Sequence, residues 1–329
     1  MNLIKLSILL AIVCSCLITT AQERAAWMKK ARWGIMVHYL ADWRSRTDST
    51  TTTPAVWNEM INHFDVEGLA KQVKETGAGY LIFTIGQNSG YYVAPNKTYE
   101  RLAGNRSTCS QRDLITDLSA ALKKQGIQLI VYLPSGAPAG DSVARKALKW
   151  ENGPHANLEF QRNWEAIIRE WSQRWGNKID GWWFDGCYWP NIMYRNEQAP
   201  NFASFAAAAR AGNPESIVAF NPGVVYRTLS LTPYEDYTAG EVDKAEFISI
   251  KRSYEGKVDG KQIHVLSFLG KTWGMGDPRF TSDQVITFSN QVIQAEGAIT
   301  WDTPVQRNGL IGSAFIQLLT EVGKRVGNK

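Results

Sequence analysis

From about residue 30 onward the chain alternates between short apolar runs and longer amphipathic ones. The apolar runs are Gly34–Tyr39, Tyr80–Ile85, Gln128–Leu133, Gly181–Asp185, Ser216–Asn221, Ile263–Phe268 and Gly297–Asp302. Continuous apolar character over five or six residues suits a strand buried on both faces. The intervening runs predict helices from Asp65 to Gly77, Asp113 to Gly126, Asn157 to Trp175, Ala203 to Ala211, Ser282 to Glu296 and Gly312 to Val326. Asp65 and Ser282 are the expected N-caps, since a side-chain oxygen there can accept a free backbone N–H. Gly77 supplies a C-terminal stop. One more strand is weakly marked and is expected near Tyr237–Gly240. Strand–helix alternation predicts a parallel sheet, and eight strands in about 300 residues is the count of a single-domain, TIM-like (β/α)8 barrel of the α/β class. An open doubly wound sheet is the second architecture. Against it, no GxGxxG follows the first strand, and there is neither a P-loop nor a GxSxG elbow.

The N-terminal segment stands outside this pattern. Lys5 precedes an apolar or small stretch from Leu6 to Ile18, and Thr19-Thr20-Ala21 offers small residues for cleavage. This predicts a signal peptide over residues 1–21, a barrel over 22–329, and a periplasmic or secreted location. A lipoprotein anchored through Cys16 is the alternative. The apolar stretch is short for a bilayer span, and no other run is long enough, so no transmembrane segment is expected in the mature chain.

The net charge of +5, from 36 Lys plus Arg against 31 Asp plus Glu, comes without a basic run and predicts no nucleic-acid partner. After cleavage only Cys109 and Cys187 remain, which leaves their pairing open and offers no CxxC or Cys/His zinc pattern. No metal or other cofactor is expected. Thirteen Trp, 12 Tyr and 12 Phe are more than a core needs and suit a site that holds sugar faces. Trp164, Trp171 and Trp175 are the exception, because their helical spacing reads as core packing.

In a TIM-like barrel, chemistry sits at the C-terminal ends of the strands. Reading the polar residues there yields His38, Gln87, Asn88, Tyr91, Tyr132, Asp185, Asn221, the acids Glu235, Asp236 and Glu241, then Trp273 and Asp302. Carboxylates, amides and aromatics with few cations fit a neutral polyhydroxylated ligand better than a phosphate. Asp185 ends an apolar strand and is followed by Gly186, which allows close approach of backbone or substrate. It is the first candidate for a carboxylate nucleophile. Glu241 ranks ahead of Asp236 and Glu235 as the second carboxyl of a glycosidase pair. His63, His155 and His264 read as structural.

These residues resemble, in order, the α-L-fucosidases of glycoside hydrolase family 29. The matching stretches are Ala31–His38, Trp57 with the helix leading to Tyr80, Arg112–Leu114, Tyr132, Gly181–Gly186, Asp236–Glu241 and Lys271–Gly274. The resemblance implies a retaining exo-glycosidase with Asp185 as nucleophile, Glu241 as acid/base, and His38, Trp57 and Tyr132 lining the sugar pocket. The family's His-His-Asp-Gly run after the second strand is here Gln87-Asn88-Ser89-Gly90, and its C-terminal β-sandwich is not expected. An α-L-galactosidase and a non-catalytic carbohydrate-binding barrel are the alternatives. The sequence carries no signal for oligomeric state.

Overall fold

The structure is a computed structural model and describes residues 24–104, 108–187, 193–245, 250 and 256–326. The expected signal peptide and Cys16 lie outside the described residues.

Among the described residues, seven strands form one parallel sheet: β1 (Trp33–Val37), β2 (Tyr80–Thr84), β3 (Gln128–Pro134), β4 (Gly181–Asp185), β5 (Ile217–Phe220), β8 (His264–Phe268) and β9 (Ala298–Asp302). Their order is β5-β4-β3-β2-β1-β9-β8. A two-stranded antiparallel hairpin, β6 (Lys257–Val258) and β7 (Lys261–Gln262), is separate.

The expected strand at Tyr237–Gly240 is not regular, yet its segment fills the gap between the edge strands. On one side Asp236 N–H donates to the Val218 carbonyl at 2.8 Å. On the other, Thr238 N–H donates to Gln262, and Val242 N–H to Leu266 at 2.9 Å, while Leu266 N–H donates back to Gly240. Gly240 explains the irregularity. Its φ is +66°, and a Cβ there would stand 2.0 Å from the His264 carbonyl oxygen. Only glycine lets this segment lie so close to β8.

Alternate residues of each strand enter two separate apolar layers. Met36, Tyr80, Ile82, Ile130, Tyr132, Trp183, Ala219, Tyr237, Ala239 and Leu266 fill the barrel interior. Their neighbours Ile35, Leu81, Phe83, Val131, Trp182, Phe184, Val218, Val265 and Trp301 face the helices. The period of two in a strand creates this division. Both layers are apolar, which is why the strands read as unbroken hydrophobic runs rather than alternating ones.

The helices are α1 (Ala26–Ala31), α2 (Ala41–Asp48), α3 (Pro54–Asn62), α4 (Val66–Thr76), α5 (Lys97–Leu102), α6 (Leu114–Lys124), α7 (Ser142–Ala147), α8 (Leu158–Trp175), α9 (Phe202–Ala209), α10 (Ser282–Gln294) and α11 (Ser313–Val326). Asp65 caps α4 as expected, accepting from Gly68 N–H at 2.8 Å. The cap of α10 is Thr281 rather than Ser282. Thr281 forms a reciprocal box with Gln284 that places it one residue earlier. Met28 of α1 joins the interior layer and is fully buried, so this helix packs against the N-terminal end of the barrel. Trp164, Trp171 and Trp175 of α8 are all buried, with indole N–H groups donating to Pro134 O, Pro95 O and Asp113 Oδ1. Their core reading holds. Cys109 and Cys187 are both buried free thiols, not a disulfide, and burial pushes both thiols up.

Candidate active site

The same period of two assembles the site. Met36, Trp183, Ala219 and Ala239 point into the barrel, so the residues two further along each segment continue that face at its C-terminal end. These are His38, Asp185, Asn221 and Glu241. Tyr132 and Asp302 have the same parity on β3 and β9. A cavity of about 80 Å³ opens there. His38, Gln87, Tyr132, Asp185, Glu241 and Trp273 line it together with Met36, Trp43, Trp183 and Leu266.

Three donors converge on Asp185. Tyr132 Oη donates to Oδ2 at 2.6 Å, and Asn221 Nδ2 donates to Oδ1 at 2.8 Å. The third is the N–H of Gly186, 2.8 Å from Oδ1. Gly186 has φ +74°, a conformation that favours glycine and turns its amide back onto the preceding side chain. The Asn221 amide also donates to Glu241 Oε2 at 2.5 Å. One nitrogen therefore spans both acids. The two bonded oxygens can be no further apart than the bonds laid end to end, 5.3 Å.

The two carboxyls differ in environment. Burial, and then the charge of Asp185, push the Glu241 carboxyl up to about 7; the Asn221 amide and His38 oppose the rise. Burial, and then Asp185, also raise the Tyr132 phenol well above its ordinary value, so its hydroxyl remains a donor. Gln87 Nε2 in turn donates to Tyr132 Oη at 2.5 Å, completing a chain from Gln87 through Tyr132 to Asp185.

His38 stands against three aromatic rings: Trp43 at 4.9 Å, Tyr132 at 5.3 Å and Trp273 at 6.0 Å between centroids. Behind it, Asp302 is fully buried, with Oδ1 2.7 Å from His38 Nδ1 and Oδ2 accepting from Gly274 N–H at 2.5 Å. A carboxylate partner makes Nδ1 the donor and leaves Nε2 for a ligand. Asp302 thus positions both His38 and the loop carrying Trp273, without lining the cavity itself.

Five expected site residues lie elsewhere. Trp57 is buried in the outer layer, stacked on Tyr39 and donating its indole N–H to Tyr92 O at 2.9 Å. Tyr91 packs against Trp57, with its hydroxyl toward Thr52 O. Asn88 is exposed at the loop surface, its carbonyl accepting from Gly140 N–H. Asp236 sits at the opposite end of the barrel, paired with Arg24 at 3.1 Å and Arg210 at 2.5 Å. It is out of step with the inward-facing Tyr237, Ala239 and Glu241. Glu235 is buried near Asp236, with Oε1 accepting from Leu231 N–H, so neither competes with Glu241.

The residue-by-residue reading overlooked Trp43, Met36, Trp183 and Leu266. Trp43 follows His38 by five residues in the first strand-to-helix connection, a position that points to the C-terminal face. The other three were indistinguishable from core. Among the described residues no group of three His, Cys, Asp or Glu side chains is arranged to hold a metal ion, and no helix is long and apolar enough to cross a membrane.

A parallel barrel with paired acids and aromatic walls at the C-terminal strand ends is an arrangement suited to a glycoside hydrolase. The model of the alpha-L-fucosidase family matches residues 55–327, most of the chain, and the protein belongs to that family. Its substrate is therefore a carbohydrate. No curated protein matches the sequence. The fold is similar to an endo-fucoidan hydrolase, P5AFcnA, of glycoside hydrolase family 107, with TM-score 0.69, 16% identity, and 93% of each chain covered. It is also similar to alpha-L-fucosidase AlfC from Lactobacillus casei, with TM-score 0.64, 14% identity, and 92% of this chain and 98% of that one covered. For alpha-L-fucosidase isoenzyme 1 from Paenibacillus thiaminolyticus the values are 0.63, 17%, 93% and 75%. At these identities the likeness is one of fold.

Proposed function

We propose that the protein is a secreted or periplasmic, retaining exo-α-L-fucosidase. The single observation that carries this reading is the Asn221 amide bonded to Asp185 and Glu241 at once. Retaining glycosidases hold their carboxyls about 5–5.5 Å apart, whereas inverting ones need about 6.5–9.5 Å to admit a water between them. The ceiling of 5.3 Å between the bonded oxygens supports the first arrangement.

The roles divide by environment. Asp185 attacks the anomeric carbon as the bond to the leaving oxygen breaks, and Glu241 gives that oxygen its proton. In the second half, Glu241 takes a proton from water, which displaces Asp185 and frees the sugar. An acid held near 7 can both give and take a proton near neutral pH. The cavity is small, which argues against a threaded chain. Met36, Trp183 and Leu266 form an apolar wall suited to the methyl group of a 6-deoxy sugar, and this favours the fucoside over the galactoside, whose extra hydroxyl would be left without a partner there. His38, Gln87, Trp43 and Trp273 are the groups placed to hold the ring. Secretion is inferred from the N-terminal sequence alone.

The test is a panel of aryl glycosides, α-L-fucoside and α-L-galactoside included, with the released anomer followed by NMR. Fucose released first as the α-anomer, with turnover abolished in Asp185→Ala, is the expected result. Release of the β-anomer, or full activity in Asp185→Ala, would overturn the assignment.

A further inference from the structure

A second, larger concavity lies in the connection between β3 and α8, at the same end of the barrel as the catalytic cavity. It is a groove of about 670 Å³, against about 80 Å³ for the cavity. Volumes of about 300–1,000 Å³ are usual for ligand sites. The groove begins close to the nucleophile. Ser135 N–H donates to the Asp185 carbonyl at 2.7 Å, and the next residue, Gly136, rests against Trp150, where a Cβ would stand 3.1 Å from the indole. Trp150 lines the groove.

Trp150 is held in place. Its Nε1 donates to Asn152 Oδ1 at 3.2 Å, and its ring meets Phe160 edge-on at 4.8 Å. Around it stand Arg145, Lys146 and Lys149. Lys146 and Lys149 are exposed, and among the described residues neither ammonium has an ion-pair partner. Arg145 donates to the Asn152 side chain and the Ala139 carbonyl, not to a carboxylate. Of the acids lining the groove, Glu151 faces His155 at 3.6 Å, and Glu159 lies in the first turn of α8. Lys149, at φ +66°, is the left-handed residue that ends α7, and the next N–H, that of Trp150, closes onto the Arg145 carbonyl at 2.9 Å. The contrast with the catalytic cavity is sharp, since among the described residues no Lys or Arg lines the latter.

We propose that this groove seats the chain to which the terminal sugar is attached, and that the chain is an anionic polysaccharide. Its sulfate or carboxylate groups meet Arg145, Lys146 and Lys149, and a sugar ring lies on Trp150. The proposal rests on the exo-glycosidase reading of the cavity, because only then does the rest of the substrate lie outside it.

The experiment uses the Lys146→Ala/Lys149→Ala double variant of the full chain. KM is measured on a sulfated fucan, on the same fucan after desulfation, and on an aryl α-L-fucoside. The expected result is a rise in KM of roughly tenfold on the sulfated chain with kcat unchanged, and less than twofold on the other two. Neither lysine lines the cavity, and the aryl substrate has no chain to seat. Equal effects on sulfated and desulfated chains, or none on either, would overturn the proposal. Affinity electrophoresis separates it from the catalytic reading. If the wild type cleaves no aryl fucoside, the fucosidase reading fails, while retardation of wild type but not of the double variant in a gel holding sulfated or uronate polysaccharide still supports the groove. Retardation by one gel only names the anion, and retardation by neither overturns the groove.

Discussion

Replacing Asn221 by alanine tests the coupling of the two acids most directly. The amide donates to the carboxylate form of Glu241, so removing it leaves that anion less stabilised and moves its pKa upward from about 7. A hydrogen bond to a charged group contributes about 1.5–3 kcal/mol, and one pKa unit corresponds to about 1.36 kcal/mol. The rise is then roughly one to two pH units, with water entering the vacated space favouring the lower end. Glu241 must be protonated to assist the leaving group, so kcat/KM falls above its pKa in the free enzyme. The alkaline limb therefore moves from about 7 to about 8 or higher in Asn221→Ala. At the same time Asp185 keeps only Tyr132 and Gly186 as donors, and the plateau below the limb drops by roughly 10- to 100-fold, the same energy expressed as rate. The assay is the pH dependence of kcat/KM on an aryl α-L-fucoside for wild type, Asn221→Ala and Glu241→Gln. An alkaline limb that stays in place or moves down in Asn221→Ala would refute the reasoning. So would a limb that survives unchanged in Glu241→Gln, because another group would then be titrating.

Tyr132→Phe removes the donor to Asp185 Oδ2 while keeping the ring stacked on Trp183; kcat should fall about 10- to 100-fold with little change in Tm, and an unaffected kcat would deny Tyr132 its role. Asp302→Ala should free His38 and the Gly274 amide together, raising KM for all substrates, whereas Asp302→Asn, which can still accept, should recover part of the loss; equal losses in both variants would mean that the charge, not the hydrogen bonds, matters. Glu235 is held at about 8 by burial, so its contribution to stability is fully present below its ordinary value near 4.5 and is lost as pH rises through about 8. Glu235→Gln should therefore narrow the fall in Tm between pH 5 and pH 9, and an unchanged fall would show that Glu235 is not its source. Gly240→Ala brings a Cβ against the His264 carbonyl and should cost about 1–3 kcal/mol in stability, read as a lower urea midpoint.

Much of this was legible before folding. Seven of the eight expected strands and the main helices follow from local patterning, because a strand buried on both faces must be apolar throughout and a covering helix must be amphipathic. His38, Asp185, Asn221 and Asp302 could be named because each ends such a run. The eighth segment was harder for a local reason: Gly240 interrupts its pairing, and Glu235, Asp236 and Glu241 crowd one short stretch.

Tertiary structure made the remaining choices. Pairing with β5 and β8 sets the phase of residues 236–242, sending Glu241 to the top of the inward face and Asp236 to the opposite end against Arg24 and Arg210. Trp57 and Trp43 are both tryptophans on helices soon after β1, yet only Trp43 meets His38, because α3 turns Trp57 toward Tyr39 and Tyr92. Asn221 bridges residues 36 and 20 positions away along the chain, a contact set by the pairing of β5 with β4 on one side and with residues 236–242 on the other. Local pattern determined which residues stand at the strand ends, because burial acts on each segment separately. Closure of the barrel decided which of them meet, because distance across the ring depends on register between segments far apart in sequence.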